Sequence, residues 1–468
     1  MRHSGFAISI FRLFVVNGVT KLIKGQFVML NVEPQLQVGI CTGYPKVSIR
    51  FNGPYRLNGR DLSGVIDLVL DEGRVRGVDG QGEQLFFESQ VLAQPQGEAT
   101  FSISDVTIGV NFHWERRRQE TFRGALKVLA TADQKLTVIN EIGLEEYLVS
   151  VIASEMSATA PLEFLKAHAV TSRSWLAAML ERRDRKRPPA QPAETRSGEI
   201  VRWYGREEHE NFDVCADDHC QRYHGLPEAG AERAVEAVRS TLGLFLVHDQ
   251  EICDARYHKA CGGLTEDFAT AWEDKKVPYL TSLSDWASEY PPVTTDGEAE
   301  RWFGSSSPAY CNTNDLSVLR QILPSFDQET ADFFRWRVVY GRPELEALLA
   351  EKTGQDLGTL RDLVPLARGP SGRIFRLQIL GSKASLIVGK ELEIRRLLSD
   401  SHLLSSAFRV FVERDGSGLP LQFTLLGAGW GHGVGLCQIG AAVMATRGFN
   451  APEILRHYFR GAALQKLY

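Results

Sequence analysis

The run GLEEYLVSVIASEM at residues 143–156, followed by PLEFLKAHAVTSRSWLAAMLERRD at 161–184, marks where the period of the chain changes. Within the first segment Leu148, Val151 and Ile152 fall at helical spacing. Val151 and Ile152 lie four and three positions before Glu155, which sets that carboxylate at the edge of an apolar face. Ser157 to Ala160 break the helix, and Pro161 suits the first turn of a second one. In that second helix Leu162, Leu165, Ala169, Leu176 and Leu180 predict a buried stripe. Lys166 and Arg173, two turns apart, share a different face.

Towards the N-terminus, from about residue 36 to 140, the chain reads as strands. KVSIRF, VIDLVL, TFSIS, VTIGVNFHW, ALKVLA and KLTVI are short and rich in β-branched residues, with Asn52-Gly53, Asp79-Gly80 and Ala132-Asp133 as turn signals. Residues 1–35 stand apart. Their apolar stretch GFAISIFRLFVVNGVTKLIKGQFVMLN (5–31) is interrupted by Arg12, and no small-residue cleavage site follows it. A translated upstream extension, an atypical export segment and a structural element all fit it, and there is no clear signal peptide. Towards the C-terminus, insertions are expected near 182–212, which is charged and Pro-rich, and near 286–312, which is Pro/Gly/Ser-rich around acidic residues. Residues 315–350 read as helical and 373–389 and 408–426 as strands. Helices close the chain at 436–447 and 451–459, the latter with Asn450 as N-cap. Without a βαβ rhythm the expected class is α+β: a β-rich N-terminal lobe (36–140) joined to a mixed helix/strand core (141–468).

Composition narrows the classes of function. The 468 residues are 43% hydrophobic and 24% charged, with 42 Gly and 19 Pro, which excludes a collagen-like or mostly disordered chain. The 53 basic residues against 58 acidic ones give a net charge of −5, so the basic surplus of a general nucleic-acid binder is missing and no nucleic-acid partner is expected. No run of about 18 apolar residues predicts a transmembrane helix.

Four groups of residues carry possible chemistry. Glu155, half desolvated on its helix, is either a general acid or an ordinary helix-end glutamate. Lys166 and Arg173 either hold an anionic or polyhydroxyl substrate or form a solvated face. In GAGWGHGVGLCQIGA (427–441) glycines at alternate positions permit close backbone approach. Trp430 offers a flat face for a sugar ring, and His432 and Gln438 offer hydrogen bonds. A tight glycine turn packed under its own tryptophan is the plainer reading, and the run is not a dinucleotide fingerprint. Finally, VCADDHCQRYHG (214–225) holds Cys215, His219, Cys220 and His224, and ICDARYHKACGG (252–263) holds Cys253, His258 and Cys261. Structural zinc, disulfides and buried thiols all fit these clusters; interspersed histidines are what a disulfide leaves unexplained.

Taken together, EEYLVSVIASEM, LEFLKAHAVTSRSW, RYHKACGGLTEDFATAWEDKKVPYL, RGPSGRIFRL and GAGWGHGVGLCQIGAAVMATRGFNAPEILRHYF resemble, in order, the SpoIID/LytB family of sporulation stage II proteins D and amidase enhancers. The similarity runs from about residue 37 to the end. It implies work on peptidoglycan outside the cytoplasm, in the cell envelope. In SpoIID-type members this is lytic transglycosylase action on glycan strands stripped of stem peptides; in LytB-type members it is enhancement of a separate cell-wall amidase. The resemblance implies a catalytic role for Glu155 and substrate contacts for Lys166, Arg173, Tyr257 and His258. Trp430, His432 and Gln438 would line the same groove. It also favours a structural zinc held by Cys215, His219, Cys220 and His224, with Cys253 or Cys261 as further candidates, and no organic cofactor. One departure is Thr171-Ser172 in place of the family's alanine pair before the arginine.

Overall fold

The computed structural model describes residues 15–16, 19–20, 32–110, 115–184, 194–196, 198–203, 209–227, 230–328 and 332–468. Most of the 1–35 segment and much of the 182–212 insertion therefore lie outside the described residues. Strands hold 38% of the chain and helices 24%, and they are segregated as an α+β fold requires.

Residues 35–143 form one large antiparallel sheet, whose outer edge is extended by Val214–Cys215 pairing in parallel with Val38 and Gly39. Its strands alternate as the sequence pattern predicts: in Lys46–Leu57, the side chains of Val47, Ile49, Phe51, Tyr55 and Leu57 are buried. Asn52-Gly53 does not turn the chain. It sits within that strand where the register shifts, while the turn falls at Asn58-Gly59.

Two helices follow the last strand directly: α1 (Leu144–Glu155) and α2 (Leu162–Asp184). Thr171 sits within α2 without disturbing it, since its hydroxyl bonds back to the Ala167 carbonyl (2.8 Å). The large sheet and both helices share a single core. A row of rings joins them: Phe101 on Phe122 (5.4 Å between centroids), Phe122 on Tyr223 (5.7 Å), and Tyr223 on Tyr147 of α1 (5.1 Å). Tyr223 is thus the anchor by which the Cys215–Cys220 loop enters the core, and its hydroxyl donates to Asn140 Oδ1 (2.5 Å).

The C-terminal half differs from the expected single core. Strands Arg335–Gly341, Leu360–Arg368, Ile374–Gly381, Ser385–Gly389, Phe408–Arg414 and Pro420–Ala428 enclose a second core around Leu345, Leu377, Ile379 and Phe423. The 315–350 stretch, expected to be helical, is a helix (Leu316–Ile322), a strand (Arg335–Gly341) and a helix (Arg342–Thr353). Residues 286–312 are not a surface appendage either. Val293, Trp302, Phe303, Tyr310 and Cys311 are buried, and Thr295 caps a helix at Asp296–Phe303. The closing helices are Gln438–Thr446 and Ala451–Tyr458, the second capped by the Asn450 side chain. The final strand, Ala463–Lys466, pairs with Leu244–Val247.

Candidate functional site

Helix α1 ends at Glu155, and a helix end leaves carbonyls without partners. Lys259 supplies one: its Nζ donates to the Glu155 main-chain oxygen (3.0 Å). The Glu155 side chain is buried, and its Oε1 accepts two hydrogen bonds, from the Tyr257 hydroxyl (2.8 Å) and the Arg222 main-chain N–H (3.1 Å). Among the described residues no bond reaches Oε2, and that atom is not among those sealed from solvent. One carboxylate oxygen is held by protein, and the other carries no bond from the described residues.

Around this carboxylate lies a network of charged groups. Lys259 Nζ pairs with Asp327 (2.7 Å), and Arg222 pairs with Asp218 (2.7 Å) and Asp327 (3.4 Å). Burial and the Glu155 charge push the Tyr257 phenol well above its usual 10, so it stays a neutral donor. Behind Tyr257 stands His168 of α2, edge-on at 4.9 Å between ring centroids and stacked on Phe164. Burial first, then Lys259, hold His168 neutral, pushed down to about 3. Gln438 Nε2 lies 3.3 Å from His168 Nε2, and its side chain is buried. Gln438 therefore supports the Tyr257 wall from behind.

Strand alternation divides the residues that the sequence grouped together. Tyr257 and Lys259 face Glu155, so the intervening His258 points the other way. His258 is buried, its Nδ1 lies 3.1 Å from the Val434 carbonyl, and its ring faces His432 (5.7 Å). His432 accepts at Nδ1 from the Val434 N–H (3.0 Å) and meets Trp272 edge-on (4.9 Å), with the Arg256 guanidinium over that tryptophan (4.2 Å). His258 and His432 thus form a cluster on the opposite face from Glu155, not part of one row with Tyr257. The glycines explain how the segments come so close. At Gly435 an added Cβ would meet the Arg256 carbonyl at 2.2 Å, and at Gly433 it would meet the Arg373 guanidinium at 2.4 Å. Trp430 is half-buried and stacks on Phe333 at 5.4 Å, so only part of its face is open to a ligand.

Arg173 corrects an expectation outright. Its side chain is fully buried and forks onto Glu145 (Nε to Oε1 2.9 Å, NH2 to Oε2 2.6 Å), with a further bond to the Leu244 carbonyl (3.1 Å). It cannot line a groove. Lys166 is partly exposed and pairs with Glu163 (2.7 Å), so the two cations, though two turns apart on one helix, sit in different surroundings.

The first Cys/His cluster assembles with one change of member. Ligand atoms of His209, Cys215, His219 and Cys220 all lie within 4.8 Å of one another, a two-thiol, two-imidazole set that fits tetrahedral zinc. His224 is not in it: its ring is half-buried, with Nε2 sealed from solvent, and desolvation followed by the nearby Arg222 charge pushes it down to about 3. Cys253 is buried apart from this group, and Cys261 belongs to a different cluster with Asp285, Cys311 and Cys437. The loop is pinned at Gly39, where an added Cβ would meet the Phe212 ring at 2.5 Å, and the His209 ring lies on Phe212 (4.5 Å). Arg222, which holds Glu155, follows Cys220 by two residues.

Arg222, Lys259, Asp327, His168 and His209 were not singled out from sequence. Lys259 was within reach, since period-two alternation from Tyr257 places it on the same face. Asp327 carries no local signal at all.

The helix that ends at Glu155 lies inside the part of the chain that a family model matches. Residues 132–248 match the family described as Stage II sporulation protein, and residues 266–435 match a domain of unknown function (DUF8618). The matches support the SpoIID/LytB family, with the Stage II sporulation protein model itself covering residues 132–248. Stage II sporulation protein D of Bacillus amyloliquefaciens is 26% identical over 331 residues, 70% of this chain and 76% of that one. Stage II sporulation protein D of Bacillus subtilis (strain 168) is 24% identical over 379 residues, 80% and 89% of the two chains. The Amidase enhancer of Bacillus subtilis (strain 168) is 24% identical over 242 residues, 49% of this chain and 32% of that one. No helix among the described residues is long and apolar enough to cross a membrane.

Proposed function

We propose that this chain, whose similarities support a cell-wall function of the SpoIID/amidase-enhancer type, is a lytic transglycosylase that cleaves between N-acetylmuramic acid and N-acetylglucosamine in peptide-free peptidoglycan strands. It would work in the cell envelope. The observation that carries this reading is the Glu155 carboxylate, with Oε1 held by Tyr257 and Arg222 and Oε2 left unbonded by the described residues. In the protonated form Glu155 donates its proton to the bridging oxygen as the glycosidic bond breaks. The carboxylate then accepts the proton of the muramyl 6-hydroxyl, which closes on the anomeric carbon and leaves an anhydro end. One carboxylate suffices because the nucleophile is intramolecular, so the paired carboxylates of ordinary glycosidases are not required. The partly exposed Tyr257 and Trp430 supply aromatic surface for sugar rings.

The test is incubation of the purified chain with peptide-free glycan strands, followed by mass analysis for anhydro-muramyl ends. Their absence, together with increased turnover by an added cell-wall amidase, would instead support the enhancer reading, which the partial similarity to the Amidase enhancer raises. Tyr257→Phe removes one charge-assisted bond to Oε1, worth roughly 1.5–3 kcal/mol. If that bond matters in the transition state, the cleavage rate should drop about tenfold or more with the melting temperature little changed. An unchanged rate would show that Tyr257 does not position the carboxylate.

For the first Cys/His cluster the reading is a structural zinc on His209, Cys215, His219 and Cys220. Full protein ligation leaves no open position for water, so the ion would hold the loop that carries Arg222 rather than enter the chemistry. Cys220→Ser should lower both the zinc content by one equivalent and the thermal stability, because metal-binding energy is folding energy. Elemental analysis with thiol counting decides this; a Cys215–Cys220 disulfide and no zinc would refute it.

A further inference from the structure

A second group of residues of metal-ligating type lies deep in the core and shares no member with the first. Ligand atoms of Cys261, Asp285, Cys311 and Cys437 all lie within 4.8 Å of one another, and all four residues are buried. We propose that these residues form a second structural site for a zinc-class divalent ion, with three thiolates and one carboxylate as ligands.

The spacing suits an ion better than a bond. Cys261 Sγ and Cys311 Sγ are 3.5 Å apart. Thiolates at about 2.3 Å from a tetrahedral zinc stand roughly 3.8 Å from each other, so only a small adjustment separates the cluster from ligation. A disulfide between two of the three cysteines would strand the third and would do nothing for Asp285. That carboxylate is fully buried, accepts from the Cys311 N–H (2.8 Å) and the Tyr458 hydroxyl (2.5 Å), and has no ion pair with a Lys or Arg among the described residues. A buried carboxylate without a counter-charge is costly, and a divalent cation supplies that charge.

The surroundings point the same way. The Gly263 N–H donates to Cys261 Sγ (3.3 Å) and the Cys261 N–H to Cys437 Sγ (3.3 Å), the kind of main-chain support that orients metal-bound thiolates. Arg335 donates to the Gly262 carbonyl (3.0 Å), next to Cys261, and places a positive charge beside a site whose ligands together outweigh a divalent ion. An added Cβ at Gly440 would strike Asp285 at 2.5 Å and the Tyr458 hydroxyl at 2.4 Å, so only glycine leaves room for this pair. Four protein ligands leave no open position, so the role is structural. The ion would tie Cys437, adjacent to Gln438, and Cys261, two residues past Lys259, to the loops that carry Asp285 and Cys311. It would thereby brace both strands of the wall behind Glu155. The inference does not depend on the reaction proposed for Glu155 or on occupancy of the first site.

The experiment uses the full chain purified without chelator, as wild type and as the double variant Cys215→Ser/Cys220→Ser, which dismantles the first site. The folded double variant should retain one equivalent of zinc. On cobalt substitution it should show the sulfur-to-cobalt charge-transfer band of a thiolate-rich site. A folded double variant without metal, or a peptide map linking Cys261 to Cys311 by a disulfide, overturns the proposal. If the double variant does not fold, a zinc-edge anomalous map of wild-type crystals takes its place. A peak among the four residues upholds the site, and no peak there refutes it.

Discussion

Glu155→Gln is expected to remove strand cleavage, by about 100-fold or more, while leaving the protein folded and able to bind glycan. The amide oxygen of Gln can still accept from the Tyr257 hydroxyl and the Arg222 N–H, so the two bonds that hold the side chain survive. The Lys259 bond to the main-chain oxygen does not involve the side chain at all. What the amide lacks is an acidic proton to give the leaving oxygen and a basic oxygen to take one back. The measurement is the yield of anhydro-muramyl ends per unit time, beside the melting temperature and a glycan-binding assay. Near-full cleavage in a folded Gln variant would end the case for Glu155 as the acid. Loss of glycan binding as well would mean that the carboxylate chiefly holds sugar.

How much of this was legible in the sequence follows the range of the forces involved. The helix that ends at Glu155 was legible because local periodicity sets it, while a role for Glu155 came from the resemblance; the Asn450 cap was legible because capping acts within one turn. Strand Arg335–Gly341 was missed because its sequence, RWRVVYG, has little period-two contrast; it is a strand because Pro420–Ala428, some eighty residues on, pairs with it. The same holds at the site. Tyr257 belongs to a motif, whereas Asp327 reaches Lys259 from a single 3-10 turn that no local pattern announces. His209 lies six residues before Cys215, in a stretch that read as an exposed insertion. His224, within the motif, was the more visible choice, but the structure groups His209 with Cys215, His219 and Cys220 instead.

The clearest divergence between spacing and environment is Arg173, and it yields the largest expected loss of stability. Two turns along one helix, Lys166 and Arg173 look equivalent on a helical wheel, yet the side chain of Lys166 is 23% exposed and that of Arg173 is 0% exposed. Arg173 is there because Glu145, in the first turn of α1, is buried against the C-terminus of the chain. The Tyr468 hydroxyl bonds Glu145, the Gly243 N–H donates to it (3.4 Å), and Arg173 forks onto both of its oxygens. Arg173→Met would leave that carboxylate buried without its counter-charge and the Leu244 carbonyl without a donor. Removing one partner of a buried pair costs about 3–5 kcal/mol, whereas Lys166→Ala, at a partly exposed pair, should cost no more than about 1 kcal/mol. Adding Glu145→Gln to Arg173→Met should recover part of the loss, because the stranded charge is gone. Urea unfolding of the four proteins (wild type, both single variants and the double variant) measures this directly. A shift for Arg173→Met as small as that for Lys166→Ala, with glycan binding impaired instead, would return Arg173 to the substrate groove and refute its structural role.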